Sequence, residues 1–133
     1  MQESINTFLA GSPFAVVGAS RDRSKYGNKA LRAYLQSGRE VYPIHPTGGE
    51  IEGLAAYASL RDLPVVPHGI SIVTPPQVTE AVVRDALALG IRHIWMQPGA
   101  ESAQAVAEAE AAGAEVIHDG PCILVALRFR ESA

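Results

Sequence analysis

Short apolar runs alternate along this chain with longer segments of helical periodicity, and this alternation constrains the fold more than any other feature. The runs are nearly continuous and are bounded by Gly and Pro, as is typical of strands buried on both faces of a sheet. Because strands separated by helices are joined by right-handed crossovers, they form a parallel sheet. The pattern therefore predicts an α/β fold, a Rossmann-like doubly wound parallel sheet of about five strands in three α/β/α layers. The predicted strands are residues 14–18, 40–44, 70–73, 93–96 and 115–118.

Helices are predicted at residues 29–37, 77–89 and 101–112, and a glycine follows each of them. We also expect a helix around residues 4–9, a turn-rich link over residues 46–69 with one short helix at 57–63, and a segment 122–129 that is either a sixth strand or a short helix. The side chains predicted to face the core from the three longer helices are Ala30, Leu31, Tyr34 and Leu35; Val78, Ala81, Val82 and Leu87; and Ala103, Val106 and Ala107.

The composition excludes several classes of protein. A chain of 133 residues with 47% apolar residues predicts one ordered domain over residues 1–133. A net charge of −3 disfavours a nucleic-acid partner, and no apolar run is long enough to cross a membrane. Residues 1–10 carry no signal-peptide pattern, and the single cysteine, Cys122, excludes an internal disulfide. We therefore expect a cytoplasmic protein.

The first predicted strand runs into a turn of the kind that binds phosphate. The strand ends at Gly18, a small residue and a hydroxyl follow, and Gly27 stands at the start of the next helix. Such a turn presents backbone N–H groups and a helix N-terminus to an anion. Three cations in the loop between, Arg21, Arg23 and Lys25, favour a polyanionic ligand.

The sequence narrows the choice of phosphate ligand. The turn lacks the G-x-G-x-x-G pattern, and the second predicted strand ends at Ile44 and His45 without the acid that holds the ribose hydroxyls of NAD. A P-loop motif is also absent from the sequence. NAD and nucleoside triphosphates are therefore disfavoured, whereas a nucleotide with an additional ribose phosphate remains compatible with the turn.

Few titratable residues follow the predicted strands. His45, His118, Asp119 and Cys122 are the candidates, and a cysteine within an apolar run is usually a small core residue. The four histidines of the chain show no metal-ligand spacing. We therefore predict no catalytic residue and no metal site.

Six short motifs, taken together and in this order, resemble the small stand-alone CoA-binding proteins, which are similar to the N-terminal domain of the succinyl-CoA synthetase α-subunit. The resemblance covers roughly residues 10–128. The motifs are Val-Gly-Ala-Ser at 17–20, Lys-Tyr-Gly at 25–27, Val-Tyr-Pro-Ile-His-Pro at 41–46, Val-Thr-Pro-Pro at 73–76, Ile-Trp-Met-Gln-Pro-Gly at 94–99 and the late Cys122.

The resemblance implies that coenzyme A or an acyl-CoA binds at the C-terminal edge of the sheet. It assigns the extra ribose phosphate to Arg21 or Lys25. It places the remaining ligand contacts at four groups of residues: Gly18, Ala19, Ser20, Tyr26 and Gly27 at the pyrophosphate; Pro43, His45 and Pro46 beside the adenosine; Val73, Thr74, Pro75 and Pro76 along the adenine or the pantetheine arm; and Gln97, Pro98 and Gly99 near the exit of the arm.

The resemblance also implies a protein without catalytic activity. In the synthetase the phosphorylated histidine lies in a second domain and the nucleotide site on another subunit, and neither fits within this chain. The family commonly has Asp-Arg-Cys where this chain has Asp119, Gly120, Pro121 and Cys122, so an arginine is missing here. Two alternatives remain open: a small NADP-linked oxidoreductase using the same turn, and a regulatory or scaffold domain acting with a separately encoded partner. The apolar C-terminal segment would suit such a partner or a homo-oligomer.

Overall fold

A five-stranded parallel sheet forms the centre of the molecule, in a computed structural model that describes residues 1–131. The sheet order is β2-β1-β5-β6-β7, which confirms the predicted doubly wound α/β fold. The chain leaves β1 toward β2 on one side and returns to β5 on the other, so the topological switch point lies between β1 and β5. The strands of this sheet are β1 (Phe14–Val17), β2 (Val41–Ile44), β5 (Gly69–Ile72), β6 (His93–Met96) and β7 (Glu115–Ile117), and β3 (Gly49–Ile51) and β4 (Leu54–Ala56) form a separate hairpin.

Helices cover both faces of the sheet, which gives the three predicted layers. Alternate side chains of β1 point to opposite faces of the sheet and so enter two different cores. Phe14 and Val16 belong to one core, and Ala15 and Val17 belong to the other. The first core is completed by α1 (Gln2–Leu9), α2 (Tyr26–Gln36) and α5 (Ile123–Ala126), and the second by α3 (Pro76–Ala88) and α4 (Ala103–Ala111).

Aromatic side chains fasten α1 and α2 to the sheet. The ring of Phe8 lies 5.3 Å from those of Phe14 and Trp95, and Phe14 stacks on Tyr34 at 5.1 Å. The buried Tyr34 hydroxyl is 2.6 Å from Ser71 Oγ in the neighbouring strand, so its polar atom has a partner. Burial raises the pKa of Tyr34 above its ordinary value. These contacts hold α2 in a fixed position against β1.

The predicted inward faces of the helices were partly wrong. In α2 the predicted Ala30, Leu31 and Tyr34 are buried, but Leu35 is exposed. In α3 the buried residues are Thr79, Val83 and Ala86, whereas Val78 and Ala81 are exposed and Val82 and Leu87 are half-buried. In α4 the fully buried residues are Ala105 and Ala109; the predicted Val106 is half-buried and packs against the same core, whereas Ala103 and Ala107 are exposed. Helices α3 and α4 carry small or apolar residues on more than one face, so the periodicity of the sequence alone does not show which face packs against the sheet.

The link over residues 46–69 holds more regular structure than predicted. It contains the β3–β4 hairpin, and the predicted helix at 57–63 is only a 3₁₀ turn, Leu60–Asp62. Tyr57 is instead extended beside β2: its N–H donates to the carbonyl of Pro43 at 3.0 Å, and His45 N–H donates to the Tyr57 carbonyl at 2.9 Å. Pro43, which has no N–H to donate, is tolerated on this outer strand. The segment 122–129, predicted as either a sixth strand or a short helix, contains the short helix α5.

Candidate functional site

A cavity of about 220 Å³ opens at the C-terminal ends of β1, β2 and β5. This is the switch point of the sheet, where ligands bind in doubly wound folds. Its walls are mostly apolar and come from the three strand ends, the 58–60 segment and α3. The lining residues are Val17, Gly18, Ile44, Pro46, Ala58, Ser59, Leu60, Thr74, Val78, Val82 and Asp85.

Two glycines bring the N-terminus of α2 against the end of β1. A Cβ atom at Gly27 would overlap the carbonyl oxygen of Gly18, and one at Gly18, where φ is +95°, would overlap the carbonyl oxygen of Val73. Residue Lys25 precedes α2, and its side chain makes no capping hydrogen bond. The Asn28 N–H donates to the Lys25 carbonyl at 3.1 Å, so the N–H groups of Tyr26 and Gly27 are the ones at this helix N-terminus that a ligand could accept from.

Hydrogen bonds within the loop between β1 and α2 fix its conformation. The Ser20 hydroxyl accepts from Asp22 N–H at 3.1 Å, and the Asp22 carboxylate accepts from the N–H and hydroxyl of Ser24 at 3.0 and 2.7 Å. These hydrogen bonds from Ser24 hold the pKa of the Asp22 carboxyl below its ordinary value. The acid of the loop is thus engaged locally and does not cap α2.

A buried polar network that starts from α2 contacts the same loop. Arg32 Nε donates to Asn28 Oδ1 at 2.6 Å, and Arg32 Nη2 donates to the Arg23 carbonyl at 2.9 Å and lies 3.2 Å from a Glu131 carboxylate oxygen. Asn28 Nδ2 in turn donates to the Ser20 carbonyl at 2.9 Å. Arg32 therefore connects α2, the loop and the C-terminal segment.

The two candidate cations for a ribose phosphate occupy different places. Arg21 reaches the turn after β2: its Nε donates to the Glu50 carbonyl at 3.1 Å, and its Nη2 donates to the Gly48 carbonyl. Lys25 is exposed at the start of α2. Arg21 is thus held beside the end of β2, and Lys25 beside the helix N-terminus.

The predicted adenosine residues are divided between two sides of β2. Pro46 lines the cavity together with Ile44, the last residue of β2, whereas Pro43 is buried on the opposite face of the strand. The His45 ring is half-buried, and its Nδ1 lies 3.2 Å from Thr47 N and 3.0 Å from Thr47 Oγ1.

The predicted residues after β5 reach the cavity in part. Thr74 lines it, with its hydroxyl 2.7 Å from that of Thr79. Val73 follows the strand and is half-buried, and the exposed Pro75 and Pro76 begin α3. Ala19 is buried behind the turn, and Tyr26 is 62% exposed, with Lys29 Nζ 5.5 Å from its ring centroid.

Gln97, Pro98 and Gly99 lie outside the cavity, at the end of β6. The Gln97 side chain is buried, its Oε1 accepts from Ile123 N–H at 2.7 Å, and its Nε2 donates to Cys122 Sγ at 3.3 Å. Pro98 and Gly99 are exposed, and Gly99 N–H donates to the Glu101 carboxylate at 2.7 Å. Gln97 thus joins the end of β6 to the start of α5.

Sequence reasoning missed half of the cavity wall. Ala58, Ser59 and Leu60 come from the link whose extended start was not predicted, and Val78 and Val82 were assigned to the core. Asp85 was not predicted to line the cavity. Its spacing of seven residues from Val78, which puts both residues on the same stripe of α3, was the one sequence signal that could have indicated it.

The remaining histidines lie away from this site. The rings of His68 and His93 stack at 4.3 Å near the N-terminal ends of β5 and β6, the opposite edge of the sheet. Burial, followed by the neighbouring His68, lowers the pKa of His93. His118 contacts Asp119 just beyond β7. Within residues 1–131, no group of three or more acidic, histidine or cysteine side chains is arranged to hold a metal.

The comparison with known families decides the class of this protein. Residues 12–128 match a family described as the CoA binding domain. The chain belongs to this family. Within residues 1–131 of this CoA binding domain, no helix has both the length and the apolar character needed to span a bilayer.

Relatives include both small proteins and segments of much longer ones. A conserved hypothetical protein from Pyrococcus furiosus is 43% identical, with a TM-score of 0.80 over 85% of this chain and 97% of its own. The α-subunit of acetate–CoA ligase [ADP-forming] II from Pyrococcus furiosus is 25% identical over 91 residues, 68% of this chain but only 20% of the ligase subunit. Dinucleotide-forming acetyl-coenzyme A synthetase 1 from Ca. Korarchaeum cryptofilum, in its apo form, is 32% identical, with a TM-score of 0.66 over 77% of this chain and 25% of the synthetase. This chain therefore corresponds to about a fifth of the curated ligase subunit it resembles.

Proposed function

We propose that this domain binds coenzyme A or an acyl-CoA across the C-terminal edge of its sheet. The observation that carries the proposal is the apolar cavity at the switch point, which opens directly beside the close-packed β1–α2 turn. The base enters the cavity, the ribose lies over the end of β2, and the pyrophosphate meets the first-turn N–H groups of α2. The pantetheine arm then runs along the edge toward Gln97, Pro98 and Gly99.

Arg21 and Lys25 take separate phosphates in this arrangement. The ribose of a nucleotide lies near the end of the second strand in such folds. Arg21 is held there by hydrogen bonds from its Nε and Nη2 to two carbonyl oxygens, and its Nη1 takes part in neither bond. Lys25 stands beside the N-terminus of α2, where the pyrophosphate binds. We therefore assign the 3′-phosphate to Arg21 and the pyrophosphate to Lys25.

The domain is proposed to hold its ligand without chemistry of its own. The side chains of His45 and Cys122, two of the four titratable groups singled out at strand ends, are both engaged in hydrogen bonds within the fold. The match covers only 20% of the ligase relative, so its activity is not carried over to this chain. A cytoplasmic location is proposed because the unpaired Cys122 suits a reducing compartment. That the domain acts with a protein partner or as a homo-oligomer is likewise only a prediction from the sequence.

Val78→Trp is expected to abolish CoA binding while leaving the domain folded. Val78 lines the cavity but is 46% exposed, so an indole ring can cover the opening without disturbing the core. Isothermal titration calorimetry with CoA, NADP and NAD measures the effect, together with thermal unfolding. Val66→Trp is the matched control, because Val66 is 55% exposed and does not line the cavity. The proposal fails if wild type binds NADP but not CoA, or if Val78→Trp binds CoA as well as Val66→Trp does.

Arg21→Gln and Lys25→Gln are expected to change binding in different ways. Arg21→Gln should weaken CoA about tenfold and leave dephospho-CoA unchanged, because it removes a charge-assisted hydrogen bond to the 3′-phosphate only. Lys25→Gln should weaken both ligands by a similar factor. Dissociation constants for the four variant–ligand pairs, and for wild type, test the assignment. If Lys25→Gln alone erases the preference for CoA over dephospho-CoA, the two roles are reversed.

A further inference from the structure

Glu52 occupies the tip of the β3–β4 hairpin in a backbone conformation that a glutamate rarely adopts. Because Ile51 pairs with Leu54, the turn consists of two residues, Glu52 and Gly53, and both have a positive φ, of 52° and 79°. Such a turn favours Asn, Asp or Gly at its first position, and a longer L-residue is strained there. A strained residue persists where its side chain makes contacts that the fold or a function requires.

The Glu52 side chain contacts the loop between β1 and α2. Its Oε2 accepts from Asn28 Nδ2 at 3.0 Å and lies 3.4 Å from Arg23 Nε, and the side chain is 22% exposed. Asn28 is buried, and its Nδ2 also donates to the Ser20 carbonyl at the start of the loop. The carboxylate of Glu52 therefore orients the amide that holds the loop at Ser20.

The base of the hairpin contacts the same loop a second time. Arg21 donates to the carbonyls of Gly48 and Glu50, and a Cβ atom at Gly49 would overlap its guanidinium. The hairpin is itself anchored, because Ile51 is 2% exposed in the core that also contains α2. The loop is therefore held at two places against a fixed support.

We propose that Glu52 is a positioning residue of the phosphate site: through Asn28 it orders the loop between β1 and α2 before the ligand binds. This inference rests on the proposed function, because the phosphates of the ligand are expected to bind at that loop. A carboxylate has only acceptors to offer and repels a phosphate, so Glu52 acts through the loop and not by contact with the ligand. A loop that is already ordered spares the ligand the entropy cost of ordering it.

Glu52→Gly and Glu52→Gln separate the positioning role from the effect of the charge. Glu52→Gly removes the acceptor of the Asn28 amide and is expected to weaken CoA binding about tenfold. It should nevertheless unfold at the wild-type temperature or above, because glycine adopts a positive φ without strain. Glu52→Gln removes the charge but keeps an acceptor for Asn28, so it should bind CoA within about threefold of wild type. Isothermal titration calorimetry and thermal unfolding provide the two readouts.

Arg128→Gly is the matched control, because Arg128 also has a positive φ, of 56°, but is exposed after α5 and does not line the cavity. It should bind CoA as wild type does. Amide hydrogen exchange of the free proteins reports on the loop itself. Residues 20–25 should exchange faster in Glu52→Gly than in wild type, and at the wild-type rate in Glu52→Gln and Arg128→Gly.

The outcomes separate this inference from the function on which it rests. If wild type binds no CoA, the proposed function fails and the role of Glu52 in it fails too. If Glu52→Gly binds CoA at least as tightly as wild type, if its loop exchanges at the wild-type rate, or if Glu52→Gln binds as weakly as Glu52→Gly, the positioning role is overturned while CoA binding stands. The role is also overturned if Glu52→Gly unfolds more than about 5 °C below wild type, because the contacts of Glu52 would then serve the stability of the fold.

Discussion

Gly27→Ala is expected to lower the free energy of unfolding by about 3 kcal/mol, although Ala is the better helix former. Helix propensity alone would make the substitution stabilising by about 1 kcal/mol. The added Cβ would, however, overlap the Gly18 carbonyl oxygen, which is backbone and cannot rotate away. The first turn of α2 must therefore move from the end of β1. Urea denaturation measures the change in free energy.

Gly113→Ala is the control for this prediction. Gly113 follows α4 with φ of +85°, and no atom lies within 4 Å of an added Cβ. Its substitution therefore costs only the left-handed strain of an L-residue, about 1–2 kcal/mol. If Gly27→Ala costs no more than Gly113→Ala, the close approach of α2 to β1 is not a requirement of the fold. The folded fraction of Gly27→Ala should also lose CoA binding, because the N-terminus of α2 is displaced.

The sheet could be predicted from the sequence because its strands carry a local signal. Each is a short apolar run ended by Gly or Pro, and β6 was predicted with the bounds that the structure shows. The β3–β4 hairpin was missed because its pairs, such as Glu50 with Ala55, show no alternating apolar pattern. Its position depends instead on Arg21, whose bonds span 27 and 29 residues of sequence. Contacts of that range leave no periodicity to detect.

The polar residues of the candidate site could be singled out from the sequence, whereas much of its apolar wall could not. Glycines and cations next to a strand end mark the turn between β1 and α2 as a candidate phosphate site by position alone. The valines of the cavity wall, Val78 and Val82, look the same in sequence as core valines, because both lie on an apolar stripe of α3. Only the packing shows that Val83 is fully buried in the core, that Val78 faces the opening, and that Val82 contacts both the core and the cavity.

Arg32→Met is expected to lower the free energy of unfolding by about 2–4 kcal/mol. The Arg32 side chain is only 6% exposed, and its loss leaves Asn28 Oδ1 and the Arg23 carbonyl without their donor. The control is Arg84→Met, because Arg84 forms an ion pair with Glu108 on the surface, where its side chain is 52% exposed. Such a pair contributes at most about 1 kcal/mol. The free energies of unfolding of the two variants, measured by urea denaturation, should therefore differ by more than that amount.

The same substitution tests whether the proposed phosphate-binding turn needs support from α2. Arg32 bonds to the loop through the Arg23 carbonyl, and Asn28, which Arg32 orients, bonds to the Ser20 carbonyl. Arg32→Met should therefore weaken CoA about tenfold even at a temperature where the variant is folded, because the loop must be ordered when the ligand binds. Arg84→Met should leave the affinity unchanged. An Arg32→Met domain that is destabilised but binds CoA as wild type does would show that the hydrogen bonds inside the loop, from Ser20 to Ser24, are sufficient to order it.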